Sequence, residues 1–380
     1  VAKTTVFPGN GKTYNPPDWN KVAQSVGLPT RKNCGTCHFF GGGGDGVKHG
    51  DLDSSMMKPN KELDVHMGTD GQNFGCTRCH STTAHDIAGR VYTTPAFEER
   101  KSLIEDDLAT KIACESCHSN QPHKQNTKAN DHSDKVACQS CHIPRFARIN
   151  PTMVHWDWST AGQKKNGKPF KVKDSFGKPS YFTLKGDMRW EKNLIPRYRW
   201  YNGSMEQLTV KDTIDPGQVV KLNWPVGSKD DPASRIFPFK VHIGIQPYDK
   251  VNKTMVIPHL FPKGKTDNDA YWKKFDWGTA IAYGQKYAGL PYSGEFDFVE
   301  TSYVFPITHM VAPREKVVSC TECHIKNNGR LANLAGFYMP GRDSLKALDL
   351  LGWILVFGSL AAVILHGFGR IFTRGSRKEE

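Results

Sequence analysis

Ten cysteines stand in five Cys-x-x-Cys pairs, and a histidine follows each pair at once: Cys34/Cys37 with His38, Cys76/Cys79 with His80, Cys114/Cys117 with His118, Cys138/Cys141 with His142, and Cys320/Cys323 with His324. This spacing is that of c-type haem attachment. Thiols at i and i+3 lie on one side of a helical turn, so both can bond the vinyl groups of one porphyrin while the adjacent histidine reaches the iron as proximal ligand. Zinc knuckles and redox dithiols also use Cys-x-x-Cys, but neither requires histidine directly after the second cysteine. Five matches out of five point to five covalently attached haem c groups, and no cysteine is left for a disulfide.

An iron used only for electron transfer takes a second strong axial ligand. Ten histidines remain for this role. His85 and His123 each follow a motif by five residues, His132 precedes Cys138 by six, His309 precedes Cys320 by eleven, and His49 and His66 lie between the first two motifs. These six are the distal candidates for five haems, which leaves one surplus. His155, His242 and His259 lie in the haem-poor region and read as ordinary hydrogen-bonded histidines. Lys48 ends the glycine-rich run Gly41-Gly42-Gly43-Gly44-Asp45-Gly46-Val47-Lys48-His49. A neutral lysine amine can bind haem iron if burial lowers its pKa, and glycines let backbone approach a porphyrin face; the other reading is a surface lysine at the end of a flexible loop.

The 380 residues carry 51 Lys+Arg against 38 Asp+Glu, a formal charge of +13, and 38% hydrophobic residues. Bulk disorder and a multi-span membrane protein are excluded by that balance. Two propionates on each of five haems would bring the charge to about +3, so no nucleic-acid partner is expected. Thioether attachment takes place on the outer side of the cytoplasmic membrane, which predicts a periplasmic or extracytoplasmic haem domain. The first residue is Val1, and an upstream segment, removed or missing, is expected.

Five segments follow from composition. Residues 1–145 form a four-haem domain with little conventional core. Residues 146–319 form a cysteine-free, aromatic-rich region; positions 143–319 hold seven of the nine tryptophans and 15 of the 23 prolines. Tyr181–Leu184, Arg197–Tyr201 and Ile236–Val241 read as short strands among irregular loops, and 270–287 as a helix. Residues 320–345 carry the fifth haem, 346–370 a transmembrane helix, and 371–380 a cytoplasmic tail. Between Leu350 and Gly369 the only ionisable side chain is His366, and 20 such residues span about 30 Å. Arg370, Arg374, Arg377 and Lys378 after it, against a mixed-charge flank before it, place the C-terminus inside. The expected fold class is therefore a mainly α and irregular multihaem cytochrome c fold with few short strands and a single C-terminal transmembrane helix.

Several stretches outside the cysteine motifs carry a more specific likeness. They are Lys21 to Phe40, the Gly41 to Asp51 loop, Trp156 to Gly162, Asn252-Lys253-Thr254 with Ile257 to Leu260, Tyr292 to Glu295, and Thr308 to Pro313. Over residues 20 to 330 the chain resembles the octahaem tetrathionate reductase family of multihaem cytochromes c. The resemblance implies that these five haems match the family's last five and that Lys48 stands where a lysine replaces histidine on the family's active-site haem. That haem's own attachment motif is absent here, so Lys48 would reach toward a haem held by an upstream segment or another chain. The membrane anchor also departs from the family and looks like that of relatives that sit beside a cytochrome b subunit.

Three functions are open on this reading. One is a membrane-anchored pentahaem wire between a cytochrome b-like or other quinone-reactive subunit of the inner membrane and a periplasmic redox partner, with or without further haems of its own. Another is a reductase of tetrathionate or another small sulfur or nitrogen oxyanion at a lysine-ligated haem. The third is a link in a conduit of haems stacked from chain to chain.

Overall fold

The computed structural model describes residues 17–80 and 114–376, together with the strand pairs Thr5–Val6 with Thr13–Tyr14 and Thr82–Thr83 with Asp86–Ile87. It divides into two compact units, Val1–Val318 and Ser319–Glu380.

A nine-stranded mixed sheet dominates the first unit. Its strands are β1 (Thr152–Asp157), β2 (Lys171–Lys173), β3 (Pro179–Phe182), β4 (Gly186–Glu191), β5 (Arg197–Tyr201), β6 (Val220–Lys221), β7 (Arg235–Asp249), β8 (Thr254–Met255) and β9 (Phe296–Pro306). The order is β6-β9-β7-β1-β4-β3-β2, with β5 and β8 also paired to β7. β7 runs antiparallel to β9 from Phe239↔Pro306 to Asp249↔Phe296 and parallel to β1 at Ile243↔His155.

This sheet corrects the expectation of a mainly α and irregular fold with few short strands. β7 is 15 residues long and β9 is 11. Pro238, Gly244 and Pro247 punctuate β7, and proline within a run ordinarily argues against a central strand. Only Ile236–Val241 is therefore visible as a strand in the sequence. The structure accommodates the break because β5 flanks the first half of β7 and β1 the second, so neighbours change along its length. The aromatic run of β7 is buried on both faces: Phe237, Phe239, Tyr201, Met205 and Val304 form one core cluster. The helix expected over 270–287 is broken in two, Tyr271–Lys274 and Trp277–Ala288, because Phe275 adopts a left-handed conformation (φ 61°) and Asp276 caps the second helix.

The second unit carries the short helix Cys320–Cys323 and one long helix, Lys346–Ser376. Lys346–Thr373 has a mean hydropathy of 2.3 over its most apolar window and is long and apolar enough to cross a membrane.

Candidate functional site

The cysteine motifs begin on local capping chemistry. Thr30 and Asn33 form a reciprocal capping box that starts the helix Arg31–His38, which carries Cys34 and Cys37. Ser319 and Glu322 do the same for Cys320 and Cys323. Cys76 opens a 3-10 turn that Cys79 closes, Cys114 precedes the turn Glu115–His118, and Cys138–His142 is a single helical turn. That last turn is fastened to the sheet: the Ala137 amide and the Ser140 hydroxyl both donate to the Ile236 carbonyl, at 3.0 and 2.8 Å.

Thiols of different motifs also approach one another. Cys114 with Cys117, and Cys138 with Cys141, are the pairs expected to flank one porphyrin each. The structure also brings Cys114 within ligand distance of Cys138 and Glu115, a cluster that does not include Cys117 or Cys141. The cause lies in the sheet. Glu115 is paired with Arg235 at 2.5 Å, and the Cys138 turn is bonded to Ile236, so adjacent residues of β7 draw the first cysteines of both turns together. Cys117 is exposed on its turn, and Cys141 is half-buried where its carbonyl accepts from the Val318 amide (2.9 Å). Zinc finds little support in this grouping. Among the described residues it is the one cluster with ligand spacing, it takes single cysteines from two motifs, and its carboxylate is already engaged by Arg235.

Three motif histidines face a second imidazole across a gap of one ligand. Ring centres are 6.0 Å apart for His66 and His118, 6.3 Å for His80 and His309, and 6.0 Å for His123 and His142. Two imidazoles that share one metal through bonds of about 2.0 Å put their ring centres roughly 6 Å apart. The spacing fits an iron between the rings. Two of these rings, and that of His324, are also held by Nδ1. His309 Nδ1 donates to Asp51 Oδ2 (3.2 Å), His123 Nδ1 to Asn130 Oδ1 (3.0 Å), and His324 Nδ1 to the Pro340 carbonyl (2.8 Å). A bond at Nδ1 fixes the tautomer that leaves Nε2 for a metal.

The other candidates are placed as follows. His85 lies outside the described residues. His132 Nδ1 is 3.3 Å from the Lys128 carbonyl. His49 packs edge-on against Phe305 (5.7 Å), and burial, opposed by Asp51 and aided by Lys48 and Lys240, lowers its pKa to about 4.

Lys48 lines a cavity of about 700 Å³ together with Trp156, Asn223, His242, Gln246 and Tyr303. Burial lowers the pKa of its amine, the direction that favours the neutral, metal-binding form. The glycine-rich loop that carries it is laid on the sheet. Gly46 (φ +73°) offers its carbonyl to the Thr152 hydroxyl (2.7 Å) and the Met153 amide (3.0 Å), and a Cβ there would sit 2.5 Å from the Pro151 oxygen. From beneath, Lys240 Nζ donates to the carbonyls of Val47 (2.8 Å) and Lys48 (2.9 Å) and to Thr152 Oγ1 (2.6 Å). Lys240 is wholly buried, and that burial lowers its pKa to about 7. Sequence reasoning missed Asp51, Asn130 and Lys240. A lone lysine inside the apolar run Ile236–Val241 was the available signal for the last.

Two family models match: cytochrome c bacterial over residues 153–327 and cytochrome c7 and related cytochrome c over residues 60–143. An octahaem cytochrome c from Shewanella oneidensis, known as a crystal structure, is 42% identical and superposes with a TM-score of 0.71, covering 84% of this chain and 68% of that one. An uncharacterized protein of Archaeoglobus fulgidus is 34% identical over 75 residues, 19% of this chain; the chain spans only 24% of that relative's length. Motifs, facing histidines and an octahaem relative matched over most of the chain together indicate covalently bound haem c, and the chain belongs to the multihaem cytochrome c family.

Proposed function

We propose that this chain is a membrane-anchored pentahaem c-type cytochrome that passes electrons between a quinone-reactive membrane partner and periplasmic redox partners. The observation that carries this reading is the three imidazole pairs with ring centres 6.0–6.3 Å apart. Bound there, haem supplies one-electron chemistry at an iron held from both sides, a coordination with no open position for substrate. The protein keeps the His309 and His123 imidazoles in one tautomer through their Nδ1 bonds. His80, His118 and His142 act as proximal ligands, with His309, His66 and His123 as their distal partners; His38 and His324 serve the remaining two haems. Cys117 and Cys141 supply the second thioether of their motifs, beside Cys114 and Cys138. The helix Lys346–Ser376 supports an anchor in the cytoplasmic membrane with the haem domain outside. Replacing His66 with alanine is expected to convert one haem per chain to a high-spin form and leave the others low-spin. Five unchanged low-spin haems in that variant would contradict the pairing.

A second reading has its own observation. The cavity beside Lys48 has a volume within the range of small-ligand sites, and its lining of amine, amides, imidazole and phenol suits a small oxyanion. On this reading the cavity receives a haem from another segment or chain, Lys48 is its axial ligand, and tetrathionate or another sulfur or nitrogen oxyanion is reduced there. Lys48→Ala would then abolish turnover of that oxyanion and change the axial ligation of one haem. Turnover and ligation both unchanged would rule this reading out.

A further inference from the structure

We infer that Asp51 is a positioning residue that fixes His309 and lowers the reduction potential of the haem held between His80 and His309. The inference rests on the paired-histidine reading above. Asp51 is 1% exposed, and its Oδ2 gathers three donors from a segment far away in the chain: the amides of Thr308 (2.8 Å) and His309 (3.0 Å) and the ring Nδ1 of His309 (3.2 Å). The two amide bonds locate the backbone of His309, and the third, together with the Thr308 hydroxyl 3.1 Å from the same ring nitrogen, sets the rotation of its ring. That ring lies 28° from the plane of His80.

The carboxylate also carries charge to the ligand. Three N–H groups converge on its Oδ2, the environment of an ionised, acceptor-only carboxylate. Its Oδ1 is buried with no hydrogen-bond partner among the described residues. An anionic acceptor on Nδ1–H raises the basicity of the imidazole, and a more basic ligand favours ferric over ferrous iron. His123 offers the internal contrast, because its Nδ1 meets the neutral amide of Asn130 at 3.0 Å. The reaction tuned is a one-electron exchange between iron(III) and iron(II), with the electron supplied by a neighbouring haem or an added reductant.

Asp51→Asn in the full haem-loaded chain keeps the shape and an acceptor for all three donors, and removes the charge. The haem concerned is identified by His309→Ala, in which it alone becomes high-spin. In Asp51→Asn that haem is expected to stay low-spin, to show an altered electron paramagnetic resonance signal, and to have its ferrous-to-ferric ratio at fixed potential raised about tenfold, equivalent to about 59 mV for one electron. An unchanged potential and signal for that haem would overturn the inference while leaving the histidine pairing intact. Five low-spin haems in His309→Ala would instead remove the pairing on which it rests. If the asparagine variant does not accumulate with haem, Asp51→Glu keeps the charge and moves the oxygen by one methylene. The expected result is then a changed signal with a ratio within about threefold of the native one, and an unchanged signal overturns the inference.

Discussion

Lys240 offers the sharpest test of how the sheet presents the Lys48 loop. Methionine at this position keeps the length and packing of the side chain and removes the amine. Three groups then lose a donor: the Val47 and Lys48 carbonyls and the Thr152 hydroxyl. At about 1 kcal/mol net per hydrogen bond, the loss is about 3 kcal/mol. Relief from burying an amine offsets part of it, which leaves a local destabilisation of about 2 kcal/mol. The reporter is the Met153 amide, which donates to the Gly46 carbonyl at 3.0 Å and exchanges only when the loop lifts. Hydrogen exchange followed by mass spectrometry on peptides covering 41–56 and 150–157 should find exchange there accelerated by about 30-fold, with the haem-bearing turn 138–142 unaffected. Acceleration of less than about threefold would refute the claim that the amine holds the loop in place.

Asp249 gives the pH dependence. It is fully buried and its carboxylate accepts from the amides of Val251, Asn252 and Ser293 and from the side chains of Asn252 and Ser293, at 2.7–3.1 Å. Burial raises its pKa, but these bonds outweigh it and hold the carboxyl below the ordinary 3.8. A depressed folded-state pKa means stability that is fully present above about pH 3.8 and lost as pH falls through the lower folded value. Asp249→Asn should therefore loosen the 249–254 turn at neutral pH, with the gap from the native chain closing below that value; exchange rates at about pH 3 and about pH 7 decide it. At Gly284 an added Cβ would lie 1.8 Å from the Ile257 oxygen, so Gly284→Ala should destabilise the Trp277–Ala288 helix by about 1–3 kcal/mol, read as a lower thermal midpoint.

The chemistry was far more legible in the sequence than the architecture. Cys-x-x-Cys-His is a local pattern, and local spacing alone carries its meaning. The approach of Cys114 to Cys138 is not local: it follows from two turns being tied to neighbouring residues of β7. The partners of His80 and His118 are of the same kind, because His309 and His66 reach them across turns and strands whose pairing is non-local. The long sheet stayed hidden for that reason too. Pro238 and Pro247 interrupt the run that becomes β7, and only the pairing of β7 with β9, β5 and β1 rescues it. Asp51 carried no local signature and Lys240 only its place in an apolar run: each matters through bonds to residues between about 88 and 258 positions away.

The most direct test of the electron-carrier account is a spin-quantified electron paramagnetic resonance spectrum of the fully oxidised, haem-loaded chain. The account expects five low-spin ferric irons per chain and no signal that responds to added sulfite, nitrite or hydroxylamine. A high-spin iron, or one whose signal shifts when such a ligand is added, would contradict it and place chemistry beside Lys48.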